Sequence, residues 1–443
     1  MAHYETFKLA NGTRIIISPS KDTRAVTALA YFGVGSRYEP LPLWGGSHFL
    51  EHMMFKGTKK RPTTEHLSKQ LDAVGADYNA FTSKDHTAYY IKIDARHTEL
   101  ALDLLSDMLY GSKFDPQEFE RERGVIVEEL NMYEDNPSMK VEELFEEHLF
   151  AGSSLGWRIG GPTQSVKDMS LEKLLAYKKR FYSPESLVLV LAGRIDSRTR
   201  TYIKKYFGAE KKHGNKPLQF KKFSWNMARA AAQEPVKVMF KQTDQTHMVL
   251  GFPAFNYDDE RNAAILLLHV ILGGSMSSRL FIGIRERHGL CYNIRTGVTN
   301  YSDAGAFTIT SGIDKSRLKE AMGVLYAELT RLLKDGVTPD EVQMAKDHIA
   351  GKMVLQFEDS ARVADFYGQQ KLLMKKVQTP DEKLARIMRQ TPAQVNAVAR
   401  EVLKFQHAKL GVIGPYKDAK EFLAAAALPW LVEKVSTKNT SKK

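Results

Sequence analysis

The pattern of apolar and polar residues runs through the same order of elements twice, at a spacing of about 217 residues, which limits what a chain of 443 residues can fold into. In each half a β-rich segment leads through a gap to a helix, then to another pair of strands and a long amphipathic helix. TALAYFGVGSRYEP precedes the helix around His48, and HTAYYIKID precedes ELALDLLSDML. THMVLGFPAFNYDDE leads correspondingly to AAILLLHVIL, and GAFTITSGI to RLKEAMGVLYAELTRLL. Strands and helices do not alternate as regular βαβ units, so each half is predicted to be an α+β unit, an antiparallel or mixed sheet covered by helices. Between the halves, residues 208–235 are rich in Lys, Gly, Asn and Pro, with Gly214, Asn215 and Pro217 as breakers, and read as a linker. Domains are therefore expected at 1–207 and 236–432, with a disordered basic tail at 433–443.

Composition narrows the function classes. Apolar residues at 43% and charged residues at 26% match folded globular chains, so disorder is excluded as the main state. Much of the net charge of +12 lies in Lys204–Lys222 and Ser436–Lys443, without a zinc finger, an RNA-binding aromatic signature or a basic recognition helix, which argues against nucleic acid. A single cysteine, Cys291, rules out an internal disulfide and a thiolate metal site. The longest apolar run, Ala263–Leu272, is interrupted by His269 and is far short of the ~20 residues of a membrane span. No signal peptide is read at the N-terminus, so a soluble, cytoplasmic protein is expected.

The chemistry concentrates in GGSHFLEHMMFKGT. Ser47 is the expected cap of a short helix that Gly57 stops. His48 and His52 at i and i+4 share one face of it, and Glu51 at i+3 joins them. Two imidazoles suit zinc, whose catalytic sites take three protein ligands and keep one position open. A third ligand is expected from DPQEFERERGVIVEELNMYEDNP, where Glu122, Ile126, Glu129 and Tyr133 form one stripe beside Phe119 and Leu130. Glu129 lies on the edge of the buried face, whereas Glu128 points roughly 100° further round the helix. Glu122 is placed behind the ligands, with a salt bridge to Arg121, Arg123 or a distant Arg as the ordinary reading. The second half has no such site, because the shift of about 217 puts Ile265 and Leu268 opposite His48 and Glu51.

Over essentially its whole length the chain resembles the inverted-motif zinc peptidases of the pitrilysin and insulinase family, within it the small branch that contains the mitochondrial processing peptidase. Glu129 follows His52 at the family's distance for its third ligand, and Glu122 precedes Glu129 by seven positions as the family's second acidic residue does. ADYNAFTSKDHTAYY resembles the family's edge strand, which implies that Asn79, Ala80, Phe81 and Thr82 pair with an extended substrate backbone. GGSMSSRLFIGIRERHGLCYNI resembles the segment whose Arg and Tyr hold the substrate carbonyl, here Arg285 and Tyr292. The bland readings of those two segments are a half-buried strand, and a surface Arg beside a core Tyr.

The resemblance implies two homologous α/β-sandwich domains enclosing a chamber, one Zn2+ per chain, and a homodimer. The implied activity is a zinc metalloendopeptidase that hydrolyses unfolded peptides or presequence-like segments through a zinc-activated water, with Glu51 as the base. The alternatives are a presequence-processing subunit that needs an unlike partner, and a non-catalytic structural homologue.

Overall fold

The computed structural model of the protein describes residues 4–214, 220 and 222–428. The basic tail expected at 433–443 lies outside these residues, as does part of the linker. A helix, Met227–Ala232, occupies part of the rest of that linker stretch.

Two compact units each carry one sheet. In the first, β1 (Glu5–Lys8), β2 (Arg14–Pro19), β3 (Ala25–Phe32), β4 (Asp77–Thr82), β5 (Thr87–Asp94) and β6 (Leu187–Gly193) lie in the order β1-β2-β6-β3-β5-β4. The β2–β6 pair is parallel and the others are antiparallel. The second holds β7 (Val236–Phe240), β8 (Gln245–Ala254), β9 (Cys291–Asn300), β10 (Gly305–Asp314) and β11 (Lys409–Gly414) in the order β7-β11-β8-β10-β9, with β7–β11 as its parallel pair. Both sheets are thus mostly antiparallel, and the α+β expectation holds in each unit.

Strand β6, LVLVLAG, shows why both faces of the first sheet must be covered. All its residues are buried. Alternation sends Leu187, Leu189 and Leu191 into one core with Phe49, Ile126 and Leu130, and Val188, Val190 and Ala192 into another with Ala364 and Tyr367.

The helix that covers the second of these cores, with Ala364 and Tyr367, comes from the far half of the chain. Unit 1 consists of Met1–Asn131, Trp157–Lys221 and Lys352–Lys383, and unit 2 of Met132–Gly156, Lys222–Gly351 and Leu384–Lys443. The contiguous halves expected from the sequence therefore exchange two segments. Helix Ser360–Leu373 packs on β3 and β6, and helix Pro137–Leu149 packs on β8 and β11. An uncovered apolar sheet face would cost about 25 cal/mol for every Å² left in water, and each exchanged helix covers such a face.

The seat of helix Pro137–Leu149 is cut for Phe145. A Cβ added at Gly251 of β8 would lie 2.1 Å from the Phe145 ring. Gly251→Ala is accordingly expected to lower stability by about 1–3 kcal/mol through overpacking. Thermal melting of the full chain checks this, and an unchanged midpoint would contradict it.

Candidate metal centre

Helix Gly46–Met53 buries Phe49, Leu50 and Met53 on one side and leaves His48, Glu51 and His52 half-buried on the other. The sequence suggested Ser47 as its cap, but the cap position is Gly45, two residues earlier. Gly45 precedes the helix with φ 98°, and a Cβ there would lie 2.5 Å from the Gly160 carbonyl oxygen, so only glycine fits. The cap comes from Glu39. Its two carboxylate oxygens accept from the Gly45 and Ser47 N–H groups at 2.7 Å each, while the Ser47 hydroxyl meets that of Tyr177 at 3.1 Å. Burial pushes the Glu39 carboxyl up to about 8 against the pull of those N–H groups.

The partner helix, Pro116–Asp135, is capped by Asp115, which accepts from Gln117 N–H at 2.8 Å. It buries Phe119, Glu122, Ile126 and Leu130. The Phe119 ring stacks on Phe49 at 4.5 Å between centroids, and Arg123 lies over Phe119. This contact sets the two helices side by side and carries Glu129 to the histidines, while Glu128 is exposed.

His48 Nε2 stands 3.7 Å and His52 Nε2 3.4 Å from the Glu129 carboxylate, and one ligand atom from each of the three lies within 4.8 Å of the others. Ligand atoms at about 2 Å from a tetrahedral ion stand roughly 3.3–3.5 Å apart, so the donor set fits zinc in both chemistry and spacing. Among the described residues this is the one such cluster of three or more His, Cys, Asp or Glu.

Behind this cluster, Glu122 accepts from His52 Nδ1 at 2.8 Å and pairs with Lys56 Nζ at 2.6 Å. The ordinary salt bridges considered for it are not formed, because Arg121 pairs with Glu118 and Arg123 with Glu120. Once His52 is neutral, a carboxylate on Nδ1 would fix its tautomer and leave Nε2 facing the cluster as the ligating nitrogen. His48 Nδ1, by contrast, is buried without a hydrogen-bond partner among the described residues.

The protonation states follow from this arrangement. Burial lowers His52, but hydrogen bonds to Glu122 and Glu129 outweigh it and raise the imidazole to about 9. Burial and the neighbouring His52 push His48 down to about 4. The His52 hydrogen bond holds Glu129 below the usual carboxylate range. A single proton on His52 thus balances the paired carboxylates, and a metal dication would take its place.

Glu51 is not part of this cluster. Its Oε2 lies 2.5 Å from the Thr82 hydroxyl, and burial raises its carboxyl against that hydrogen bond.

Strand β4 is an edge of the first sheet, pairing with β5 on one side. Asn79 and Phe81 are exposed, Ala80 and Thr82 half-buried, and the Asn79 side chain caps the Ala80 N–H at 2.8 Å. In unit 2, the Arg285 guanidinium lies over the rings of Phe281 and Tyr292, at 4.7 and 5.0 Å from their centroids. Tyr292 is 78% exposed, which removes the reading of it as a core residue.

The model of the insulinase family, peptidase family M16, matches residues 14–163, and that of the M16 inactive domain matches residues 168–349. The chain belongs to peptidase family M16. An uncharacterized zinc protease of Streptomyces coelicolor is 35% identical over 93% of this chain and 89% of its own length. Another, of Bacillus subtilis, is 33% identical over 91% of this chain and 97% of its own. Among solved structures, a protease from Helicobacter pylori superposes with a TM-score of 0.86 at 21% identity, covering 94% of this chain and all of that one. The M16 inactive domain from Pseudomonas fluorescens gives 0.85 at 18% identity, covering 94% of this chain and 99% of its own. These last two likenesses concern the fold. The inactive-domain match falls mostly on the second half, where Ile265 and Leu268 are fully buried. Among the described residues no helix is long and apolar enough to cross a membrane.

Two members of the site had no clear signal in the sequence. Glu39 reaches the motif helix from outside it, and Lys56 lies beyond the helix end. A buried Glu122 called for a cation, but the nearest arginines in sequence were the wrong ones.

Proposed function

We propose that the chain is a zinc-dependent metalloendopeptidase that cuts extended peptides. The observation that carries this reading is the convergence of His48, His52 and Glu129, with a glutamate, Glu51, that stands outside the cluster and is hydrogen-bonded to Thr82. When bound, zinc supplies Lewis acidity, making water a stronger acid near neutral pH and polarising a carbonyl oxygen. Glu51 takes the proton of the attacking water and passes it to the leaving amine. Glu122 keeps His52 in the ligating tautomer. The free edge of β4, from Asn79 to Thr82, adds the substrate backbone as a further strand, which gives affinity with little sequence demand. Arg285 and Tyr292 donate to the carbonyl oxygen as charge builds on it. The protein works as a cytoplasmic homodimer, each chain bringing its own metal ligands and its own Arg/Tyr pair. A purely structural subunit has no use for a half-buried Glu51 next to a ligand cluster, and that favours the enzyme.

The purified chain should carry one zinc, elute at twice its 50.1 kDa mass and cleave internal bonds in a peptide library. Chelation should abolish cleavage and added zinc should restore it. Zinc-loaded chain that cuts no peptide would sink the proposal.

A further inference from the structure

Strand β4 brings the side chain of Thr82 to Glu51. Along the strand Tyr78, Ala80 and Thr82 are half-buried, and Asp77, Asn79 and Phe81 are exposed. The half-buried row ends at Thr82, whose Oγ1 lies 2.5 Å from Glu51 Oε2. Among the described residues Glu51 Oε1 makes no hydrogen bond, so the hydroxyl occupies one carboxylate oxygen and leaves the other for proton transfer.

The hydroxyl is presented from a pinned backbone. After Thr82 the chain turns tightly, with Ser83 N–H donating to the His86 carbonyl at 2.7 Å. The N–H groups of Ser36 and Arg37 donate to the Ser83 and Lys84 carbonyls at 3.1 and 3.2 Å. Arg37 and Asp85 form a buried ion pair at 2.8 Å over the same turn. Thr87, the partner of Thr82 across the ladder, donates its own hydroxyl to the Val34 carbonyl at 2.9 Å. A glutamate on its own can rotate about three side-chain bonds, and a short hydrogen bond from so fixed a donor selects one arrangement.

We infer that Thr82 is a positioning residue whose hydroxyl fixes the Glu51 carboxylate in its working orientation, an inference that rests on Glu51 being the proton carrier proposed above. The residue that ends the substrate-pairing edge thereby also holds the group that moves the proton.

Two variants of the full chain test this, Thr82→Val, which removes the hydroxyl at nearly constant shape, and Thr82→Ser, which keeps it. Crystal structures and peptide kinetics are both read. Thr82→Val should bind one zinc like the parent, spread Glu51 over several rotamers, and lower kcat by on the order of 10- to 100-fold with KM within about twofold. Thr82→Ser should restore both the single rotamer and kcat. Glu51 keeping the parent rotamer in Thr82→Val overturns the inference, as does a kcat loss that Thr82→Ser does not recover. If the zinc-loaded parent cuts no peptide, the enzymatic reading fails separately, and the Glu51 rotamer in Thr82→Val still decides the role of Thr82.

Discussion

Glu51→Gln protein is expected to bind one zinc as tightly as the parent and to lose peptide cleavage by on the order of 10²–10⁴-fold, the range that general acid–base catalysis supplies. The amide keeps the size of the side chain and can still accept from the Thr82 hydroxyl at the 2.5 Å contact. It cannot accept a proton from water. The metal should be unaffected, because the ligand atoms belong to His48, His52 and Glu129 and their hydrogen-bonded support to Glu122 and Lys56. KM should change little, since the β4 edge proposed to seat the peptide is untouched. Zinc content by elemental analysis and kcat on one internally cleaved peptide are the two measurements. Full activity in zinc-loaded Glu51→Gln would remove Glu51 from the chemistry.

The parts of the site that were legible in the sequence are those governed by helix periodicity. His48, Glu51 and His52 share a face because 3.6 residues per turn puts i, i+3 and i+4 together. Glu129 was separable from Glu128 by the same geometry, and the structure leaves Glu128 exposed while Glu129 reaches the histidines. What periodicity does not carry is the identity of a partner distant in sequence. The rule for helix starts pointed at Ser47, whereas the donors at the start of the motif helix are met by Glu39. The pattern of PSMKVEELFEEHL puts Val141, Leu144 and Phe145 on one face of a helix. It could not show that they would be buried on β8 and β11 of the second sheet, because an apolar stripe looks the same whichever face it covers. The exchange of Met132–Gly156 and Lys352–Lys383 between units is for that reason a finding of the structure.

The three acidic residues of the partner helix should separate cleanly in their effect on zinc. Glu122→Gln leaves all three ligands but replaces a charged acceptor on His52 Nδ1 and the mate of Lys56. Losing such outer support costs about 10- to 100-fold in metal affinity. Glu129→Gln removes an anionic ligand outright and leaves two neutral imidazoles, which hold a dication poorly, so its loss should exceed that of Glu122→Gln. Glu128→Gln should match the parent, since that side chain is exposed and its described contact is with Asn131. Competition against a fluorescent zinc chelator gives the three affinities, and the zinc-induced rise in melting temperature should fall in the same order because a ligand stabilises by how tightly it binds the folded state. Equal losses in Glu128→Gln and Glu129→Gln would show that net negative charge near the histidines, and not a ligand at Glu129, holds the ion. A larger loss in Glu122→Gln than in Glu129→Gln would exchange their roles, making Glu122 the ligand and Glu129 its support.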